Sequence, residues 1–238
     1  MIVIIIAIIS AVVGLLVLRA YITITGQIKS YEQYWQQQSS VNSQEYAVRY
    51  FAMGDSAAQS IGASSPSKGY VGLISEHIRQ SVSPVQVINL SKSGAKTDDV
   101  LRRQLPALMD MQPTENDIIT LEIGANNVVD YNEHTFTLDM KEILDTVPPQ
   151  TIVADVPYFG GGIRRNAAMN AEQASRIIRE LCEERGLRIA YLQKITTEND
   201  SIRNYSADFF HPSDRAYKFW FKAFMPHISD DIAKNTQQ

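Results

Sequence analysis

Hydrophobic positions along this chain follow three different rhythms. From Ile2 to Leu18 they run without a charge or a break. From Gln27 to Gln44 they thin out into a Gln- and Ser-rich stretch dotted with Tyr31, Tyr34 and Trp35. From Glu45 onward, short apolar runs alternate with segments of helical period. At about 1.5 Å per residue the first run falls just short of a ~30 Å hydrocarbon core. Arg19 can snorkel, however, and Ala20 to Ile24 carry no charge, so residues 1–24 suffice for a transmembrane anchor. A signal sequence is the competing reading of 1–24; its usual basic start and A-x-A-like cleavage site are not visible. The stretch 25–45 buries little and reads as a polar tether between bilayer and domain. Arg19 and Lys29 follow the span and nothing basic precedes it, which by the positive-inside rule points to a cytoplasmic domain, on two charges only.

Within 46–238 the alternation is regular. Tyr46–Met53, Val85–Leu90, Asp117–Ile123, Thr151–Val156 and Leu187–Leu192 read as strands. The third (DIITLEI) is nearly continuous in apolar residues, as a strand covered on both faces should be. Between the strands, helical period is found from about Tyr70 to Gln80, Asp98 to Met109 and His134 to Val147. A further helix carries Ala174, Ile177, Ile178 and Leu181 on one face, with Gly186 placed as its C-cap. A last helix follows Pro212–Ser213, with Tyr217, Trp220, Phe221 and Phe224 on its buried side. Strands alternating with helices imply right-handed crossovers. The expected fold is a three-layer α/β/α domain with a five-stranded parallel sheet, preceded by one transmembrane helix.

Charge and cysteine content narrow the chemistry. A net charge of −4 without a basic block or basic-aromatic stripe argues against a nucleic-acid partner. Cys182 is the only cysteine, which excludes an internal disulfide and a cysteine metal site and leaves it as a small core residue. His77, His134 and His227 have no metal-ligand spacing and read as surface or capping residues. No G-x-G-x-x-G or P-loop pattern offers a phosphate cradle, so neither a metal nor a cofactor is expected.

In a parallel sheet, ligands bind beyond the carboxyl ends of the strands. The residues that follow the five strands there are small and polar: Gly54-Asp55-Ser56, Asn89-Leu90-Ser91-Lys92-Ser93-Gly94, Gly124-Ala125-Asn126-Asn127, Tyr158-Phe159-Gly160-Gly161-Gly162 and Asp208-Phe209-Phe210-His211. Ester hydrolysis needs a nucleophile, a base, a group that orients the base, and donors for the oxyanion. Ser56, at a strand-to-helix turn, fits the nucleophile, His211 the base and Asp208 its orienting carboxylate. The N–H groups of Ser56 and Gly94 and the Asn126 amide would form the oxyanion hole. Each piece alone has a plainer reading, a turn or a loop cap; their placement, each directly after a strand or before the last helix, is what points to a site. The Gly160–Gly162 run reads either as a simple connection or as a loop that moves over an acyl group lined by Tyr158 and Phe159.

These blocks resemble the GDSL/SGNH hydrolase family. YFAMGDSAAQSIGASSP is similar to its first block, with Ser56 at the nucleophile. NLSKSGAKTDDVL resembles its second, with Gly94 at the oxyanion glycine, and Gly124-Ala125-Asn126-Asn127 its G-x-N-D block, with Asn126 at the oxyanion asparagine. Asp208-Phe209-Phe210-His211 matches its D-x-x-H block. Asn127 departs from the usual acidic residue and Ala57 from the usual leucine. The resemblance implies a flavodoxin-like sheet, metal-free cleavage of esters in lipids, lysophospholipids or acetylated glycans, and an extracytoplasmic domain. The alternative is a silent ligand-binding module of the same fold.

Overall fold

The structure, a computed structural model, describes residues 2–39 and 48–236. A five-stranded sheet in the order β2-β1-β3-β4-β5, parallel throughout, forms its centre. The strands are β1 (Val48–Gly54), β2 (Val85–Asn89), β3 (Ile118–Glu122), β4 (Ile152–Ala154) and β5 (Arg188–Ala190). Helices α2 (Tyr70–Ser81), α5 (Glu133–Thr146) and α6 (Ala168–Arg185) supply crossovers, as do α3 (Thr97–Asp99) and α4 (Leu105–Asp110), joined by a π-helical turn at Val100–Gln104. α7 (Leu192–Glu198) and α8 (Asp214–Asn235) follow β5. This is the expected three-layer domain, with a strand order of the flavodoxin-like kind.

Successive side chains of a strand point to opposite faces, and β1 divides its residues accordingly. Phe51 and Met53 pack with Leu108, Phe136 and Ile178 on one side of the sheet. Val48, Tyr50 and Ala52 pack with Ile74, Tyr217 and Phe224 on the other. Every residue of β3 is buried, which explains its unbroken apolar reading. α6 turns Ala174, Ile177, Ile178, Leu181 and Cys182 inward and stops at Gly186, left-handed with φ 65°. α8 buries Tyr217, Trp220 and Phe224, while Phe221 is only partly covered.

Other element ends shift by one or two residues, and three differences from the sequence expectation have a specific cause. β1 begins at Val48, Tyr46 lying outside the described residues. β5 ends at Ala190 because Leu192 already opens α7, whose LQKITTE carries too short an apolar repeat to announce a helix. The third difference matters most. The stretch 25–45, expected as a tether, is helical to Ser39, the last described residue before β1, as the continuation of α1 (Ile2–Ser39). Glutamine is a good helix former, and Tyr31 and Trp35, one turn apart, share a face with Ala20; these three are the buried residues of α1.

The contacts of α1 fix its direction. The Ser39 hydroxyl donates to the Val87 carbonyl in β2 at 3.3 Å. The Trp35 indole donates to the Gln59 carbonyl at 3.1 Å, and the Tyr31 hydroxyl and Gln27 amide both reach the Ala63 carbonyl at 2.9 Å. Thr23 and Ile24 line a cleft with Ser206, Ala207 and Asp214. α1 therefore runs antiparallel to the strands, and its exposed half, residues 2–19, leaves past their carboxyl ends. By length and composition α1 can cross a membrane, and its apolar half suits an anchor or a signal sequence.

Candidate active site

Ser56 lies two residues beyond β1, in a tight turn and not at a helix N-terminus as expected; α2 starts only at Tyr70. The turn is closed by Ile61 N–H to the Ser56 carbonyl at 3.0 Å and Ser60 N–H to the Ala57 carbonyl at 2.9 Å. Among the described residues, no helix begins at the serine. Upstream, the Gln104 side chain brackets Gly54, donating to its carbonyl and accepting from its N–H, both at 2.8 Å. Downstream, Gly62 adopts φ 91°, and a Cβ there would lie 2.7 Å from that of His211. Only glycine lets the turn approach the histidine this closely.

His211 is presented by a loop pinned through an antiparallel bridge between Tyr205 and Pro212. Its Nε2 lies 3.1 Å from the Ser56 Oγ, and its Nδ1 lies 2.6 Å from Asp208 Oδ2. The other Asp208 oxygen accepts from the Ser206 hydroxyl and from the N–H groups of Phe210 and His211. Burial works against the Asp208 charge, but its bond to His211, the charge of that ring and the Ser206 hydroxyl outweigh it and hold the carboxyl well below its usual range. The structure thus brings together the three residues singled out as nucleophile, base and orienting carboxylate.

The three oxyanion candidates converge less completely. The N–H groups of Ser56 and Gly94, the latter at φ 81°, donate to no protein group among the described residues. The Asn126 Nδ2, by contrast, donates to the Ala95 carbonyl at 3.0 Å and to Asp55 Oδ2 at 3.2 Å. Asn126 therefore ties the ends of β1, β2 and β3 together, and one of these bonds must yield before its amide faces a substrate oxygen. Asn127 has a local reason. Its Oδ1 accepts the Thr97 N–H at 3.2 Å and its Nδ2 donates to Thr97 Oγ1 at 3.0 Å. That hydroxyl already donates to Asp139 at 2.6 Å, so a carboxylate at 127 would meet a lone pair where the amide offers a proton.

A search of curated proteins finds no match. The profile of the GDSL-like lipase/acylhydrolase family, however, matches residues 52–219, from β1 into α8. The chain belongs to that family. Among solved structures, the chain is similar to a lipase/acylhydrolase from Enterococcus faecalis, with 22% identity, a TM-score of 0.64 and 76% of this chain covering 96% of that one. It is also similar to the acetylxylan esterase Axe2 from Geobacillus stearothermophilus, with 21% identity, a TM-score of 0.56 and 76% of this chain covering 93% of that one. At such identities the neighbours speak for the fold. Family membership makes the chain a carboxylic ester hydrolase.

The GDSL-like domain also contains site residues that the sequence reading passed over. Asp55, fully buried beside the serine, accepts from the Ala57 N–H at 2.9 Å and from Asn126. Burial lifts its carboxyl to about 6, against the pull of the Ala57 N–H and of His211. Glu122 stands opposite Gly54 across the β1–β3 pairing. Burial and the neighbouring Asp55 charge raise Glu122 well above the carboxylate range. Beyond Asp55 its oxygens meet no protein partner among the described residues. Gln59 is the third. Its amide donates to the Ser91 carbonyl at 3.1 Å and accepts the Ser93 N–H at 3.0 Å, holding the loop that carries Gly94. A glutamate inside DIITLEI was a visible signal; Gln59 offered none.

Ser56 and His211 of this GDSL-like domain border a cleft lined by Pro157, Tyr158, Phe159, Phe210, Phe219 and Trp220. Phe159 and Phe210 stack with centroids 6.2 Å apart. The Tyr158 N–H is held by Thr196 Oγ1 at 2.9 Å. The glycine run is closely packed: a Cβ on Gly160 would collide with the Tyr158 ring, and one on Gly162 with the Phe209 carbonyl. The Gly161 N–H donates to the Tyr205 hydroxyl at 3.2 Å. These contacts fit a shaped wall better than a free flap.

Proposed function

We propose that the chain is a membrane-anchored serine esterase whose acyl-binding wall is the aromatic cleft beside Ser56. The observation that carries this is the unbroken line Asp208–His211–Ser56, with contacts of 2.6 and 3.1 Å, at the mouth of that cleft. In this reading His211 Nε2 takes the Ser56 proton as Oγ attacks the ester carbonyl, and Asp208 steadies the imidazolium that forms. The developing oxyanion is met by the Ser56 and Gly94 N–H groups and by the Asn126 amide. His211 returns the proton to the departing alcohol, leaving an acyl-serine, and then draws a proton from the water that releases the acid.

Tyr158 and Phe159, with Phe210 and Trp220 opposite, favour the acyl chain of a lipid or lysophospholipid over a bare acetyl group on a glycan. The anchor reading is favoured over a cleaved signal because Ala20 is buried and Ile24 packs beside the loop carrying His211, so the end of the apolar run belongs to the fold. The full chain in detergent, assayed on p-nitrophenyl esters from acetate to palmitate, tests the substrate reading. A kcat/KM that rises with chain length beyond butyrate is expected; a maximum at acetate would favour a glycan deacetylase.

A further inference from the structure

α1 does more than attach the domain; it fixes which way the domain faces. Residues 2–19 are exposed along their whole length, and contact with the domain starts at Ala20. Ile24 and Gln27 follow within a turn or two, and the Gln27 side chain accepts the Gly62 N–H at 2.9 Å. Gly62 in turn lies against His211. At about 1.5 Å per residue, Gln27 is only ~5 Å along the axis from Ile24, so the catalytic loop sits just outside the apolar span.

The loop that carries His211 exposes unusual residues on this side. Ala207 shares a cleft with Thr23 and Ile24. Phe209, two residues on, is 50% exposed and has φ 55°, a left-handed conformation that an aromatic residue rarely takes. Strain of that kind persists where the surroundings or a function hold it. The Phe209 carbonyl accepts the Ile163 N–H at 3.0 Å, and Ile163 is itself 63% exposed. Beside it Arg164, also exposed, stacks over the Phe210 ring at 5.5 Å. Apolar side chains flanked by arginine are what a headgroup layer accepts.

We propose that the carboxyl edge of the sheet lies on the bilayer that α1 enters, with Phe209 and Ile163 at headgroup depth. An acyl-lipid ester then reaches Ser56 from the membrane without crossing bulk water. This rests on the reading of α1 as an uncleaved anchor.

Lipid-depth quenching of the full chain in phosphatidylcholine nanodiscs tests it. A fluorophore is attached singly through Ile163→Cys, Phe209→Cys, Val12→Cys in the span, or Glu115→Cys at the amino edge of the sheet. The native Cys182 stays unlabelled, since burial pushes its thiol up to about 12. Spin-labelled lipid should quench positions 12, 163 and 209 several-fold more than 115. Quenching at 12 with 163 and 209 no better than 115 would overturn the edge-on orientation and leave the anchor standing. No quenching at 12 would overturn the anchor, and the orientation with it. If Phe209→Cys does not fold, Ile163→Cys decides alone.

Discussion

The indole N–H of Trp35 donates to the main-chain carbonyl of Gln59 at 3.1 Å, and the side chain of the same glutamine spans to Ser91 and Ser93. The last turns of α1 are thus bonded to the turn that carries Ser56 and, one residue further, to the loop that carries Gly94. The helix is a brace for the site as well as a candidate anchor.

Trp35→Phe should keep most of the packing and leave the buried Gln59 carbonyl without its donor. The expected loss is about 1–3 kcal/mol, read by urea denaturation of the full chain in detergent. A change under about 0.5 kcal/mol, the range of an ordinary surface substitution, would contradict the brace.

Asn126→Ala should lower kcat by roughly 10²–10³-fold and affect KM much less, since in the proposed mechanism its amide serves charge that grows in the transition state. Steady-state kinetics on one soluble ester separate the two. An effect confined to KM would make Asn126 a substrate-binding residue or a strand tie, through its bonds to Ala95 and Asp55.

Glu122→Gln should stabilise the domain at alkaline pH. The folded carboxyl is raised, so the native state keeps a proton that the unfolded chain releases above about pH 4.3. Stability therefore falls as pH rises from there, and a glutamine removes that penalty. The Tm of the variant should exceed that of the parent by roughly 2–4 °C more at pH 8 than at pH 5, equivalent to about 1 kcal/mol for a domain this size. A gap that is flat or reversed between these pH values would contradict a raised Glu122 carboxyl.

The strand ends were the legible part of this chain. Ser56 could be picked out because a parallel sheet delivers the residue after each strand to one edge, and Asp208 and His211 because their block stands just before the last helix. The layers followed from period alone, as the alternation of Phe51 and Met53 against Tyr50 and Ala52 shows. What period cannot reveal is a contact between distant segments. Tyr31 and Trp35 look interfacial in a Gln-rich stretch until the turn that carries Ser56 is found beneath them. The turn after β1 misled for a related reason: the Ala57, Ala58 and Gln59 that follow Ser56 suit a helix, yet Asp55 and Gly62 close the segment into tight turns. Glu122 was readable as the charge inside a buried strand that otherwise has one only at its start, Asp117, and its pairing with Asp55 required the register of β1 on β3.

In the proposed mechanism Ser56 is an activated nucleophile. Treating the full chain with a fluorophosphonate and mapping the adduct by mass spectrometry tests it most directly, because the reagent reacts with a serine whose proton a neighbouring base accepts. A single adduct on Ser56, absent in Ser56→Ala together with a loss of ester hydrolysis on the order of 10³-fold or more, is the predicted result. An unlabelled protein, or an adduct that persists in Ser56→Ala with near-parental turnover, would contradict it.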